Sequence, residues 1–126
     1  MKRFVYILLS LILGVTVAFA QDKAVISSEK TTHDFGKIKE ADGPVSYVFK
    51  IDNKGNGPLI LTRVIASCGC TTPEWTKEPI AAGKNGEIKI TYNPKDRPGP
   101  FVKTISVYSN GKTGSYILTI KGEVEE

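Results

Sequence analysis

The chain has one histidine, His33, and no methionine after Met1. A single imidazole makes a three-histidine zinc site impossible. A serine–histidine–acid triad would have to use His33, which stands in the string TTHDFG, and no Gly-x-Ser-x-Gly elbow occurs. The acids are scattered singly through turns and strand faces, and no carboxylate pair stands out for hydrolysis. Arginine is scarce as well: beyond Arg3 there are only Arg63 and Arg97, and lysines form no run. A nucleic-acid footprint needs clustered cations facing several phosphates, so nucleic acid is rejected as a partner. There is no basic amphipathic helix for a membrane surface either. Two short strings fail for what they lack. Asp34-Phe35-Gly36 spells a kinase triplet without the Gly-rich loop, strand lysine and catalytic loop a kinase needs. Residues 52–57 faintly resemble a calcium loop, but the third position is Lys54 and the twelfth is Arg63, where a carboxylate is required.

Long apolar runs are confined to the start. Lys2 and Arg3 precede an almost wholly apolar stretch over residues 4–17, and Ala18-Phe19-Ala20 places small residues where signal peptidase reads. This predicts a signal peptide over residues 1–20, cut after Ala20. A retained anchor is the alternative, roughly 17 apolar residues being the lower limit for a span; the polar Gln21-Asp22-Lys23 argues for cleavage, with no membrane insertion afterwards. No cysteine follows the cut, so a lipoprotein anchor is not suggested. Lys2 and Arg3 are two of the seventeen Lys and Arg, which leaves fifteen against thirteen Asp and Glu, a formal +2 over residues 21–126. That segment has the size of one domain.

What is present reads as strand. Residues 45–52 alternate, with Val45, Tyr47, Phe49 and Ile51 on one face, and residues 87–92 and 116–120 alternate again. Residues 59–66 and 101–109 are apolar and β-branched without clean alternation, which predicts strands covered on both sides. Residues 24–26 and a short piece near 35–38 complete about seven strands. Gly43-Pro44, the Asn53 to Pro58 cluster, Gly83 to Gly86, Pro98-Gly99-Pro100 and Asn110-Gly111 punctuate them. The expectation is all-β: a two-sheet antiparallel sandwich of immunoglobulin-like type, one domain over 21–126.

The two cysteines, Cys68 and Cys70, flank one glycine in ASCGCTTPEW. In antibody domains the disulfide ties the sheets together from cysteines far apart in sequence. A bridge two positions apart cannot do that, and loop-closure entropy for so small a ring is worth only about 1.6 kcal/mol, against about 4.7 for a 100-residue loop. Residues i and i+2 of an extended strand sit near the upper limit of bridging distance, a difficulty that Gly69 would relieve by taking φ > 0. Three readings stay open: a local disulfide or packed thiols, a reducible dithiol that exchanges electrons or pairs with another protein, and soft-metal capture of Cu(I) by paired thiolates. Further metal ligands are scarce, and no metal site or cofactor is assigned. Trp75, five residues beyond Cys70, is expected to fill the core rather than lean on the sulfurs.

The strings FGKI at 35–38, FKIDNKGNGPLIL at 49–61, SCGCTTPEW at 67–75, PIAAGKNGEIKITYNP at 79–94 and RPGPFVKTISVYSN at 97–110 together resemble a bacterial family, domain-of-unknown-function family 1573. The resemblance spans nearly all of residues 21–126. It implies small exported proteins with an immunoglobulin-like sandwich, similar in fold to Hydin-type and major sperm protein domains, and it makes Cys68 and Cys70 family positions. It adds no reaction. The functional expectation is an exported, non-catalytic binding module of the bacterial envelope, in the periplasm or outside the cell, that contacts a protein partner through sheet edges or loops. The alternative is a thiol protein using Cys68 and Cys70 for redox exchange or Cu(I) binding.

Overall fold

Period two decides the framework. Along Val45–Asn53 the side chains of Phe49, Ile51 and Asn53 turn inward to full burial while Ser46, Val48 and Lys50 face out. Along Asn85–Tyr92, Ile88, Ile90 and Tyr92 do the same. A computed structural model describes residues 23–111 and 114–126; the signal segment expected over 1–20 lies outside them. The described chain forms eight strands: β1 (Ile26–Ser27), β2 (Thr32–Lys39), β3 (Val45–Asn53), β4 (Leu61–Ala66), β5 (Thr71–Trp75), β6 (Asn85–Tyr92), β7 (Gly99–Ser109) and β8 (Tyr116–Glu125), with one 3-10 turn at Glu40–Asp42.

They build two four-stranded sheets, β1-β3-β6-β5 and β2-β8-β7-β4, packed as a sandwich around one apolar core. The sandwich expected from periodicity is therefore the fold. It differs in two details. There is one strand more than the seven counted, and β2 pairs parallel to β8, His33 opposite Ile120, where only antiparallel pairing was expected. The chain passes from the edge of one sheet (β1) to the edge of the other (β2) through residues 28–31, a crossing that leaves β2 running alongside β8 in the same direction.

A second correction concerns β4 and β7. Their outer faces are not covered: Val102 is 66% exposed, Ile65 45% and Ile117 of the neighbouring β8 47%. Apolar residues on the solvent face blur the alternation there, and burial on one side only is the cause. Inward, Phe101, Ile105 and Val107 meet Leu118 and Ile120 in the core.

Turn chemistry fixes the loops. Asp34 Oδ1 accepts the Gly36 N–H at 2.8 Å, and Gly36 takes φ 69°, so the Asp-Phe-Gly string is an Asx turn at a break in the β2 register. The stretch resembling a calcium loop is organised by Asn53 instead. Its buried amide donates to the Gly57 and Ile80 carbonyls at 2.7 and 2.9 Å and accepts from Gly55 and Val25 N–H at 3.0 and 3.3 Å. All four hydrogen-bonding positions of the side chain are thus engaged.

Candidate functional site

Cys68 and Cys70 lie in the four-residue turn, 67–70, that carries the chain from β4, the edge of one sheet, to β5, the edge of the other. They are joined as a disulfide with Cα atoms 5.2 Å apart, well inside the usual range. The turn, rather than the glycine, shortens the span. Gly69 is not among the residues with positive φ, and a Cβ built on it would meet nothing within 4 Å, so the conformational role expected of it is not used. Thr71 N–H closes the turn on the Cys68 carbonyl at 3.1 Å, and Asn93 N–H binds the Cys70 carbonyl at 2.9 Å. Cys70 is 8% exposed and belongs to the core, whereas Cys68 is half-buried against it.

The sulfurs differ in surroundings. Cys68 Sγ accepts the Cys70 N–H at 3.2 Å, and Cys70 Sγ lies 3.6 Å from Thr71 Oγ1. Beside them the β6–β7 loop forms a polar recess of about 290 Å³ lined by Gly69, Cys70, Asn93, Lys95, Asp96 and Arg97. The loop is firmly held: Lys95 N–H binds Asn93 Oδ1 at 3.1 Å, Arg97 N–H binds the Pro94 carbonyl at 3.1 Å, and Asp96 N–H binds Glu40 Oε1 at 2.8 Å. Asp96 takes φ 59°, a left-handed conformation that Asp tolerates better than most side chains. Trp75 packs against the core from a half-buried position, with Lys77 Nζ 3.1 Å from its ring centroid. No histidine comes near the sulfurs. His33 is on β2, three strands across the sheet from β4, which is about 14 Å at ordinary strand spacing. Among the described residues no group of three or more His, Cys, Asp or Glu side chains stands together to hold a metal ion.

A second feature was not singled out in the sequence. On the side of the sandwich opposite the cysteines, β1 covers only the last two residues of β3, pairing Ile26 with Asn53 and Ser27 with Asp52. The other edge of β3 is fully paired to β6 from Val45 to Asp52. Ser28 Oγ donates to the Lys50 carbonyl at 3.0 Å from the β1 side. By the alternation of an antiparallel ladder, Val48 and Ser46 therefore aim their N–H and C=O groups the same way, where no strand among the described residues pairs with them. Between this edge and β2 runs a seam of half-buried side chains: Phe35, Ile38, Val45 and Tyr47, with His33 stacked on Tyr47 at 3.8 Å. Burial, and next the Lys30 ammonium, hold the His33 pKa below its ordinary 6.5, with Asp34 opposing. Lys30 Nζ lies 3.3 Å from His33 Nδ1, a distance suited to the neutral ring accepting there. The alternation of residues 45–52 was the available signal for this edge. It identifies the strand, but a strand does not announce which neighbour it lacks.

A family model described as "Protein of unknown function (DUF1573)" matches residues 26–124. Among solved structures, the chain is similar to a protein of unknown function from Porphyromonas gingivalis W83, with TM-score 0.70 and 23% identity over 79% of this chain and 46% of that one. The chain thus spans less than half the length of that protein. It is also similar to PapD-like domain 7 of human CEP192, with TM-score 0.66 and 7% identity over 82% of this chain and 87% of that one. The YadV chaperone matches at TM-score 0.51 and 20% identity over 82% of this chain and 51% of that one. At these identities the likeness is one of fold, immunoglobulin-like and PapD-like. No curated protein matches the sequence.

Proposed function

The chain belongs to the DUF1573 family, and from that premise we propose that it is an exported, non-catalytic binding module that takes an extended segment of a partner protein onto the free edge of β3. The observation that carries this reading is the contrast between β3 and the other edges. β2 is interrupted by the turn at Gly36 and studded with Lys37 and Lys39. β4 has a register shift between Leu61 and Arg63. β5 is five residues long with Pro73 at its centre. Bulges, charges, proline and shortness are the devices that keep edges from pairing with other chains. β3 runs unbroken against β6 for eight residue pairs and, before β1 begins, carries none of these devices from Val45 to Phe49.

An added strand would meet the amides and carbonyls of Ser46 and Val48, and its inward side chains would cover Val45, Tyr47, Phe35 and Ile38. Main-chain pairing supplies affinity and the seam supplies specificity. Export rests on the basic start, apolar run and Ala-Phe-Ala ending of residues 1–20. The one imidazole available for acid–base work, His33, is committed to Tyr47 and Lys30, which supports a non-catalytic reading.

The test is photo-crosslinking from position 48 in the source cells, followed by binding of the captured segment as a synthetic peptide. Val48→Pro removes an N–H from the open edge without touching the β6 ladder. The peptide should bind the parent, protect the Ser46 and Val48 amides from exchange, and bind Val48→Pro at least about ten-fold more weakly, the loss of one or two edge hydrogen bonds. Equal binding to both proteins would defeat the proposal.

A further inference from the structure

We propose that the Cys68–Cys70 disulfide is a two-electron exchange site that accepts electrons from a protein dithiol, a function separate from the β3 edge and on the opposite side of the sandwich. Three observations carry it. The first is the ring size: two positions separate the cysteines. A disulfide and the fold that holds it stabilise each other equally, so the native structure protects this bridge by no more than roughly fifteen-fold in equilibrium constant, against a few thousand-fold for a bridge closing 100 residues. Structural stapling is therefore a poor account of two cysteines placed at an inter-sheet corner.

The second observation is asymmetric access. Cys68 is half-buried at the surface, Cys70 is buried, and the residue between them has no side chain and open space beside it. An incoming thiolate is therefore directed to Cys68, the more exposed of the two. The third is the environment of the sulfur that must leave. Cys70 Sγ has the Thr71 hydroxyl 3.6 Å away, and Lys95 and Arg97 line the recess beside Cys70 together with Asp96, the Glu40 carboxylate reaching the same loop at the Asp96 N–H. Hydroxyl donation and nearby cations lower a thiol's pKa and make it a better leaving group. The neighbouring N–H of Cys70, 3.2 Å from Cys68 Sγ, serves the other sulfur.

The steps balance as follows. One thiolate of the partner attacks Cys68 Sγ; a partner–Cys68 bond forms, the Cys68–Cys70 bond breaks, and its electron pair leaves on Cys70 as thiolate. The partner's second thiolate then attacks its own sulfur in the mixed disulfide and expels Cys68 as thiolate. The partner ends as a disulfide and this chain as a dithiol, two electrons and two protons having moved.

The experiment uses the purified protein in native buffer with graded ratios of reduced to oxidised glutathione, with thiols trapped by alkylation and counted by mass. The bridge should open fully while the β-sheet circular dichroism is unchanged, at a value of reduced glutathione squared over oxidised glutathione within about fifteen-fold of that needed for a short Ser-Cys-Gly-Cys-Thr peptide. With oxidised glutathione, Cys70→Ser should acquire the mixed disulfide at least about ten-fold faster than Cys68→Ser, because the thiol it keeps is the more exposed one, and access outweighs the greater thiolate character of Cys70. A bridge that resists glutathione until denaturant unfolds the protein would overturn the proposal, and the parent alone suffices for that result. Equal rates in the two variants would overturn the assignment of Cys68 as the attacked sulfur.

Discussion

The His33 imidazole lies flat on the Tyr47 ring, 3.8 Å between centroids and 9° between planes, although the two residues belong to different sheets. His33 is on the edge strand β2, and Tyr47 is on β3 at the uncovered edge opposite. Phe35 meets His33 edge-on at 4.6 Å, Phe49 meets Tyr47 edge-on at 4.8 Å, and Lys30 lies 5.1 Å from the Tyr47 ring centroid. The contact closes the open side of the sandwich with aromatic faces where backbone hydrogen bonds are lacking.

Acid should loosen that contact. The folded pKa of His33 is depressed by burial and by Lys30, so just below the ordinary value of 6.5 the unfolded chain binds more protons than the folded one. Stability then rises with pH across that window and is lost as pH falls through it toward the folded pKa. Urea midpoints measured between about pH 7.5 and 5.5 should fall for the parent and fall less for His33→Gln. An identical pH dependence in both would mean that His33 is not the group responsible.

The two aromatics on the inner face of β3 should differ in weight. Phe49 is 1% exposed in the middle of the core, and Phe49→Ala should cost about 3–5 kcal/mol. Tyr47 is half-buried at the seam, and Tyr47→Ala should cost less, about 1–2 kcal/mol for the area it covers. Guanidinium unfolding with matched slopes checks both.

Asn53→Ala should be among the most damaging polar substitutions. It removes four hydrogen bonds and strands the Gly57 carbonyl and the Gly55 and Val25 N–H groups in or near the core, while the Ile80 carbonyl keeps the Leu59 N–H. Unsatisfied buried groups cost about 1–3 kcal/mol each, so a loss above about 3 kcal/mol is expected. A loss below about 1 kcal/mol would show that water replaces the side chain.

Glycines 69 and 122 make an opposed pair. Gly69→Ala should leave stability within about 0.5 kcal/mol and leave the disulfide formed, because its φ is not positive and the space is open. Gly122→Ala would set a Cβ 2.9 Å from the Gly36 carbonyl oxygen and from the Phe101 ring, and should cost roughly 1–3 kcal/mol as overpacking does. Thermal unfolding of the two variants side by side reads the difference.

Reducing Cys68–Cys70 without mutation should lower the unfolding free energy by no more than about 1.6 kcal/mol, the loop-closure limit for three residues. Denaturant curves with and without reductant at equal slope give the number. A larger loss would make the bridge a staple after all.

The residues by themselves determined the sandwich. Tyr47, Phe49 and Ile51 against Ser46, Val48 and Lys50 leave a strand as the only element with one apolar face, and Gly83, Asn110-Gly111 and their like mark where the strands end. The closeness of Cys68 and Cys70 likewise showed that any bridge between them would add little stability. Tertiary structure decided the rest. Alternation says that a strand has two faces but not which neighbours flank it, because pairing is set by residues distant in the chain, as Tyr47 is set against Ile90 and His33 beside Ile120. For the same reason the exposure of Val102 and Ile65, the parallel seat of β2 and the bare edge at Val48 could not be read locally. Asn53 looked like one more turn residue until the fold buried its amide among four backbone groups. Which cysteine is the more exposed was also a matter of packing: Cys68 and Cys70 have the same chemistry, and only the corner between β4 and β5 buries Cys70 in the core and leaves Cys68 half-buried against it.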